Sequence, residues 1–282
     1  MVQIRLIDAM NEDKIKSPSN PHLKHVRSVR DGREPDRIFI EGVRLAEEAM
    51  ATGIAIELCV VEDNRMVSER EQRLLAQISR RQIETLTVDP RAFNSVTDTK
   101  STQGIILIAG RPSNTKESFD SFLDIGGEAS LPLILFLSQI NNPNNLGAVI
   151  RAAEAAGVQA VIIGRNSADP YSSKALRSAM GSAFRIPFWL DADLGDVIDL
   201  AKQKGFRLVG ATLNGKTTYA EYDWKQKTLL VLGSEAHGID PSLSEMLETD
   251  ICIPMASTVE SLNLAVAAGI MLFESRRQNC QQ

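Results

Sequence analysis

The sequence predicts an α/β protein, with a small α/β module followed by a larger domain built on a parallel sheet. Three observations carry this. From Arg37 onward, short apolar runs alternate with stretches of helical periodicity. In the second half those runs ("LILFLS", "VQAVIIG", "TLLVLGSE") are continuous rather than alternating in polarity, as in strands covered on both faces. Between the halves the rhythm fails in "RPSNTKESFDSFLDIGGEASLP", which mixes Pro, Ser, Asn and a Gly pair. The 282 residues suffice for two domains. The division expected is 1–111, a linker at 112–130, and 131–282.

The elements follow in order. "RIFIEG" reads as a strand and "VRLAEEAMATG" as a helix closed by Gly53. "IELCVVED" is a strand, "SEREQRLLAQISRRQ" an amphipathic helix and "IETLTVD" a strand. "PRAFNSVT" is a short helix with Pro90 at its start, and "QGIILIAG" a strand. The linker is expected to hold a short helical turn at "ESFDSFLD". Strand and helix then alternate through "LILFLS", "NLGAVIRAAEAAG", "VQAVIIG" and "SSKALRSAMGSAF". They continue through "RIPFWL", "DLGDVIDLAKQKG" and "FRLVGATL". "TLLVLGSE" is a strand, "PSLSEMLE" a short helix, "DICIPM" a strand, and "SLNLAVAAGIMLFESRRQ" a closing helix.

Composition narrows the class. The chain is 43% hydrophobic and 24% charged, ordinary for a soluble globular protein. Cys59, Cys252 and Cys280 are far apart and odd in number, with no CxxC or His/Cys ligand spacing. They read as reduced thiols in a cytoplasmic protein with no metal site. No apolar run approaches the ~20 residues that cross a bilayer. "MVQIRLIDAMNEDK" has no signal-peptide core, so neither secretion nor membrane insertion is expected. The net charge of −5 argues weakly against nucleic acid. Its distribution argues the other way, because Lys14, Lys16, Lys24, Arg27, Arg30, Arg33 and Arg37 outnumber Asp31, Glu34 and Asp36. A solvated charged helix is the plain alternative for that stretch.

Ligands of an open parallel sheet bind beyond the carboxyl ends of its strands. Three such ends carry unusual residues. In "SQINNPNNLGAVIR", Asn144 or Asn145 is placed to cap the next helix, Gly147 to let backbone approach a ligand, and Arg151 about two turns into the helix. Capping explains one or two of the asparagines. In "LLVLGSEAHGID", Gly233, Glu235 and Gly238 follow a buried strand, and the glycines suggest a tight loop packed against something. The spacing is not GxGxxG, and His237 reads more readily as a solvated loop residue than as a base. In "CIPMASTVESLNLAVAAG", Glu260, Ser261 and Asn263 are candidate caps. Together the three ends give one site several polar groups.

The order N-x-G-x-x-x-R, then L-G-x-E-x-x-G, then I-P-M-x(5)-S-L-N-x-A-V-A resembles the SpoU (TrmH-like) branch of the SPOUT RNA methyltransferases. Here the residues are Asn145, Gly147 and Arg151; Gly233, Glu235 and Gly238; and Ile253, Pro254, Met255, Ser261, Leu262 and Asn263. The likeness covers 131–282. "NPHLKHVRSVRDGR", "FIEGVRLAEEA" and "STQGIILI" resemble the family's substrate-binding domain, a module similar to ribosomal protein L30e.

The resemblance implies a C-terminal sheet tied in a trefoil knot, a homodimer whose sites draw on both subunits, and methyl transfer from S-adenosylmethionine (SAM) to a ribose 2′-OH in structured RNA. It implies a catalytic set of Arg151, Asn145, Glu235, Ser261 and Asn263. It places the cofactor at Leu232, Gly233, Gly238, Ile253, Met255, Ser261 and Leu262. RNA contacts are expected from Lys24, Arg27, Arg30, Arg44 and Arg177. Guanidinium gives up its proton too reluctantly for an easy base, so Arg151 is expected to position and stabilise charge. An L30e-like domain points to large-subunit (23S) rRNA, with tRNA, or a catalytically silent RNA-binding protein, as alternatives. An ordinary nicotinamide or nucleotide enzyme is disfavoured by the missing GxGxxG. Two positions depart from the family pattern: Ala236 stands where Gly commonly follows the glutamate, and Asn144 where P-G-N is common.

Overall fold

A computed structural model describes residues 14–100, 102–125, 131–256 and 261–280. The chain forms two compact units. One holds the chain up to Pro112 together with Tyr171–Phe184; the other holds Ser113–Pro170 and the chain from Arg185 onward.

The first unit begins with α1 (Pro21–Arg30), inside the charged stretch. Asn20 caps it by accepting from the His22 N–H at 2.9 Å, and Pro21 opens its first turn. Leu23, Val26 and Val29 form a buried stripe, so this helix is not solvated all round. Then come β1 (Arg37–Glu41), α2 (Val43–Thr52), β2 (Ile56–Glu62), α3 (Glu69–Arg80), β3 (Glu84–Val88), α4 (Pro90–Asn94) and β4 (Ile105–Gly110). Ser68 and Glu71 form a reciprocal capping box at the start of α3. The sheet runs β1-β4-β2-β3, with β4 antiparallel to β1 and β2, and β2 parallel to β3.

The second unit begins with α5 (Lys116–Ile125), a ten-residue helix where a turn in a linker was expected. Phe119 is buried, anchoring α5 in a core with Ile134, Phe136, Trp189 and Val231. Phe119, Phe122 and Leu123 do follow helical i, i+3, i+4 spacing, but the Pro, Ser and Gly residues around them made the stretch read as a linker. Next are β5 (Leu133–Leu137), α6 (Pro143–Ala156), β6 (Ala160–Gly164), α7 (Ser173–Ala179), β7 (Phe188–Ala192), α8 (Leu194–Lys204) and β8 (Arg207–Ala211). The chain ends with β9 (Thr217–Thr218), β10 (Thr228–Leu232), α9 (Pro241–Ser244), β11 (Thr249–Cys252) and α10 (Leu264–Cys280). Of these, α7 belongs to the first unit, where it lies against β1.

The second sheet has the order β7-β6-β5-β10-β8-β11-β9, and every pairing is parallel. Ile134, Ile162 and Val231 are buried toward one face, in a core that takes in Val197 and Leu200 of α8. Their neighbours Leu135, Val161 and Leu230 are buried too, so the central strands are dry on both faces. β9 escaped the sequence reading: two threonines that pair with Ile251 and Cys252 carry no hydrophobic pattern.

The order places the site. From β5 the chain steps outward through β6 to β7, and then returns to build on the other side of β5. This reversal opens a crevice at the carboxyl ends of β5 and β10. Leu137 pairs with Leu232 at those ends, and the Ser138 N–H donates to the Leu232 carbonyl at 2.9 Å. The loops 138–142 and 233–238 therefore leave the sheet side by side.

Candidate active site

The cap of α6 is Asn142, whose side chain accepts from the Asn144 N–H at 2.9 Å; it is neither Asn144 nor Asn145. Pro143 explains the shift, because proline favours the first helical position and sets the cap one residue before it. Gly147 lies inside α6 and is buried, rather than in the loop facing a ligand. With Asn142 serving as cap, Asn145 is released for another task. Its Nδ2 donates to Glu235 Oε1 at 3.0 Å, and its Oδ1 accepts from Asn263 Nδ2 at 3.0 Å. Asn263 in turn caps α10, its Oδ1 accepting from the N–H groups of Ala265 and Val266 at 3.0 and 3.4 Å.

A single directed chain thus runs from the start of α10 through Asn263 and Asn145 to Glu235. Each amide can donate and accept in only one sense here, so the chain fixes the orientation of both. The three members come from three separate strand ends. The partially positive helix start lies at one end of the chain and the carboxylate at the other.

Glu235 is held by a five-residue turn. Ser234 and Gly238 exchange main-chain hydrogen bonds at 2.9 Å each, and the Ser234 hydroxyl accepts from the His237 N–H at 3.1 Å. Gly238 has φ +68°, the left-handed region. A Cβ on Gly233 would lie 2.2 Å from the main chain of Gly238 and 2.4 Å from the Ile239 nitrogen. What Gly233 packs against is therefore its own loop. The turn borders a groove of about 450 Å³, lined among others by Gln139, Asn142, Asn145, Glu235 and His237.

Arg151 is exposed and makes no hydrogen bond or ion pair among the described residues. Six residues beyond Asn145, it lies about 9 Å further along α6 and about 240° around it. Within one chain it does not join the Asn145–Glu235 pair. Ser261 is exposed and Leu262 half-buried just before α10, while Glu260 lies outside the described residues.

The expected cofactor groups gather at the ends of β10 and β11, which both pair with β8. These ends are roughly 10 Å apart, two strand spacings. Leu232 and Gly233 are buried there, and Ile253, Met255 and Leu262 are half-buried. The main-chain N–H groups of Ile253, Met255 and Leu262 make no hydrogen bond among the described residues. Unpaired main-chain donors beside leucine side chains suit a purine such as the adenine of SAM, whose edge accepts hydrogen bonds and whose faces are apolar.

In the first unit the charged groups are more committed than their sequence suggests. Arg27 donates to Ser95 Oγ at 3.0 Å and to the Pro18 carbonyl at 2.6 Å. Arg30 pairs with Asp31 and donates to the carbonyls of Ser95 and Thr97. Arg177 pairs with Asp98 at 2.8 Å. These three expected RNA contacts hold the 95–98 segment to α1 and α7. Burial raises the Asp98 carboxyl, but hydrogen bonds from Ser173 and Arg177 and the charges of Arg177 and Arg30 bring it below the usual range. Lys14, Arg33 and Arg37 also sit in ion pairs, which neutralise much of the basic excess. Lys24 and Arg44 are exposed and form no ion pair among the described residues.

Comparison with known proteins identifies the family. Residues 132–273 match the SpoU rRNA Methylase family, and residues 20–107 match the MRM3-like substrate binding domain. The chain belongs to the SpoU rRNA methylase family. It is 31% identical over 274 residues to the Bacillus subtilis 23S rRNA (guanosine(2553)-2′-O)-methyltransferase RlmP, across 97% of this chain and all of that one. It is 32% identical to the 23S rRNA (guanosine-2′-O-)-methyltransferase RlmB of Vibrio vulnificus, across 90% and 94% of the two chains. The crystal structure of an AdoMet-bound rRNA methyltransferase from Sinorhizobium meliloti superposes with a TM-score of 0.80 at 28% identity, over 94% of this chain and 97% of that one. Among the described residues no cluster of three His, Cys, Asp or Glu side chains is placed to hold a metal, and no helix is long and apolar enough to cross a membrane.

Besides the cap Asn142, two further groups that shape the site were absent from the sequence reading. Ser234 braces the turn through its hydroxyl, and the GSE pattern offered it as a candidate no more than any other serine. Gln139 lines the groove in a left-handed conformation, φ 57°. Nothing in its residue type announces that backbone.

Proposed function

We propose that this protein methylates a ribose 2′-OH of 23S rRNA as a homodimer. It is a SAM-dependent RNA 2′-O-methyltransferase, and the observation that carries the reading is the Asn263–Asn145–Glu235 chain beside unpaired main-chain donors at Ile253, Met255 and Leu262.

A ribose hydroxyl ionises far above neutral pH, so it must shed its proton as it attacks. When bound, the cofactor supplies an electrophilic methyl on sulfonium. The protein's part is orientation and charge. Glu235, aimed by Asn145, fixes the groove wall where the nucleotide enters. Arg151 contributes a permanent positive charge for the developing alkoxide or its neighbouring phosphate. The proposed fold carries the family's trefoil knot, which would hold Ile253, Met255 and Leu262 near the end of β10. An L30e-like first domain would grip structured RNA through exposed cations such as Lys24 and Arg44. An rRNA substrate puts the enzyme in the cytoplasm.

The dimer is supported by the surfaces of α6 and α10, which pack on each other. α10 is apolar almost all round in its first ten residues. Val266 and Phe273 remain 51% and 48% exposed, on one stripe with Ile270. The outer stripe of α6 carries Ala148, Arg151 and Ala155, small enough for close approach of a second copy. Such a dimer directs Arg151 to the partner's groove, which accounts for its distance from Asn145.

The test pairs two inactive variants, Arg151→Ala and Asn145→Ala, each assayed for methyl transfer from labelled SAM to separated rRNA and tRNA. Mixed after co-refolding, they regain activity if Arg151 acts across the dimer, because one site of each mixed dimer is then intact. Label in tRNA alone overturns the rRNA assignment. No regained activity, with mixed dimers demonstrated, overturns the shared site.

A further inference from the structure

We infer that Gln139 contacts the base of the target nucleotide and sets substrate selectivity; this rests on the methyl-transfer reading above. Among the described residues, six that are not glycine have positive φ: Asn64, Gln82, Gln139, Asn166, Met180 and Asp191. Asn and Asp adopt that region readily. Gln82 and Met180 close helices, their N–H groups donating to the carbonyls of Ser79 and Leu176. Gln139 has neither reason. It lies two residues beyond the end of β5, and a glycine would take φ 57° without strain.

The backbone on either side is fixed. Ser138 donates to the Leu232 carbonyl at 2.9 Å, the Ile140 N–H to Ser167 Oγ at 3.1 Å, and the Ala168 N–H to the Ile140 carbonyl at 2.7 Å. The turn is therefore imposed on Gln139 by its neighbours, and it presents the side chain to solvent. The residue is exposed, lines the groove with Asn145 and Glu235, and its amide makes no hydrogen bond among the described residues. A strained residue that returns no internal contact points to a ligand.

The chemistry of that ligand follows from the lining. A primary amide sets one donor beside one acceptor, which matches the hydrogen-bonding edge of an unstacked nucleobase. The ribose of the same nucleotide must lie within reach of Asn145 and Glu235, so the base is the nearest partner for Gln139. His237, the groove's one aromatic ring among the described lining residues, offers that base a face to stack on.

The experiment compares wild type, Gln139→Gly and Gln139→Asn as full chains. Three readouts are taken: melting temperature, SAM affinity by calorimetry, and initial rates of methyl transfer to 23S rRNA transcribed in vitro. Gln139→Gly is expected to melt at or above the wild-type temperature and to bind SAM unchanged. Its KM for RNA rises tenfold or more, with a smaller change in kcat. Gln139→Asn, which keeps a shortened amide and suits the backbone, is expected to fall between. A wild-type KM in Gln139→Gly overturns the inference. So does a lowered melting temperature with weakened SAM binding, which would make Gln139 a structural residue. If wild type transfers no methyl group to rRNA while binding SAM, the 23S assignment falls and takes this inference with it.

Discussion

Replacing Gly233 with alanine adds one methyl group at a point where the loop folds back on itself. The nearest atoms are the Gly238 carbonyl carbon and oxygen, both at 2.2 Å, and the Ile239 nitrogen at 2.4 Å. All are main-chain atoms, so no side chain can swing aside. Ordinary carbon contacts begin near 3.5 Å, and the 234–239 turn must retreat by more than about 1 Å. Glu235 rides on that turn, and its 3.0 Å bond to Asn145 would stretch past hydrogen-bonding range. Overpacking of this kind costs about 1–3 kcal/mol, which lowers the melting temperature by several degrees. A displacement of about 1 Å in a positioning group costs on the order of 10²-fold in rate. Gly238→Ala supplies the control. Its φ of +68° makes alanine unfavourable by roughly 1–2 kcal/mol, but nothing lies within 4 Å of the new methyl. Single-turnover methyl transfer and thermal melts of both variants are the assay. Gly233→Ala should lose far more activity than Gly238→Ala for a similar loss of stability. Equal activity losses, or a wild-type Gly233→Ala, would refute the reasoning.

Three further expectations follow from the structure. Asp98 titrates below the ordinary carboxylate range when folded, so it stabilises the protein above that range and the contribution disappears as pH falls through its folded value. The melting-temperature gap between wild type and Asp98→Asn should be full at pH 7 and close below about pH 3.9; a gap that widens in acid would contradict the assignment. Burial pushes the Cys59 thiol up to about 12 despite a hydrogen bond from Thr85, whereas Cys280 is exposed. Titration of native protein with a disulfide reagent at pH 8 should modify Cys280 quickly and Cys59 only on unfolding; equal rates would refute the burial. Finally, Lys24→Ala should weaken RNA binding, lower the salt slope by about one and leave stability alone. Arg27→Ala should instead lower the melting temperature, because it removes the tie to Ser95 and Pro18; the opposite pattern would return Arg27 to the RNA surface.

Much of the fold was legible because parallel strands buried on both faces leave continuous apolar runs, as "LILFL" and "TLLVL" do. The short β9 left none, and α5 left a short i, i+3, i+4 pattern at Phe119, Phe122 and Leu123 inside a stretch rich in Ser, Pro and Gly. The site was legible in its members rather than in their relations. Polar residues at three strand ends marked Asn145, Glu235 and Asn263, but the sense of their hydrogen bonds depends on how the sheet order brings the ends together. The cap was misplaced because four asparagines compete for one role, and Pro143 decides among them. The basic stretch showed its charges but not their partners. Linear sequence shows the charges near in the chain, whereas Asp63, Glu57 and the carbonyls of Ser95 and Thr97 arrive from far along it.

The central claim is that a ribose hydroxyl of 23S rRNA is methylated at a site completed by Arg151. The most direct measurement is transfer of labelled methyl from SAM to rRNA prepared from cells lacking this protein, followed by alkaline hydrolysis. Wild type should label the rRNA at a position where alkali no longer cleaves the backbone, because a methylated 2′-oxygen cannot attack the adjacent phosphate. Arg151→Ala should fold and bind SAM but leave the rRNA unlabelled. Label at an alkali-sensitive position would contradict ribose methylation, and undiminished label in the Arg151→Ala reaction would contradict the site.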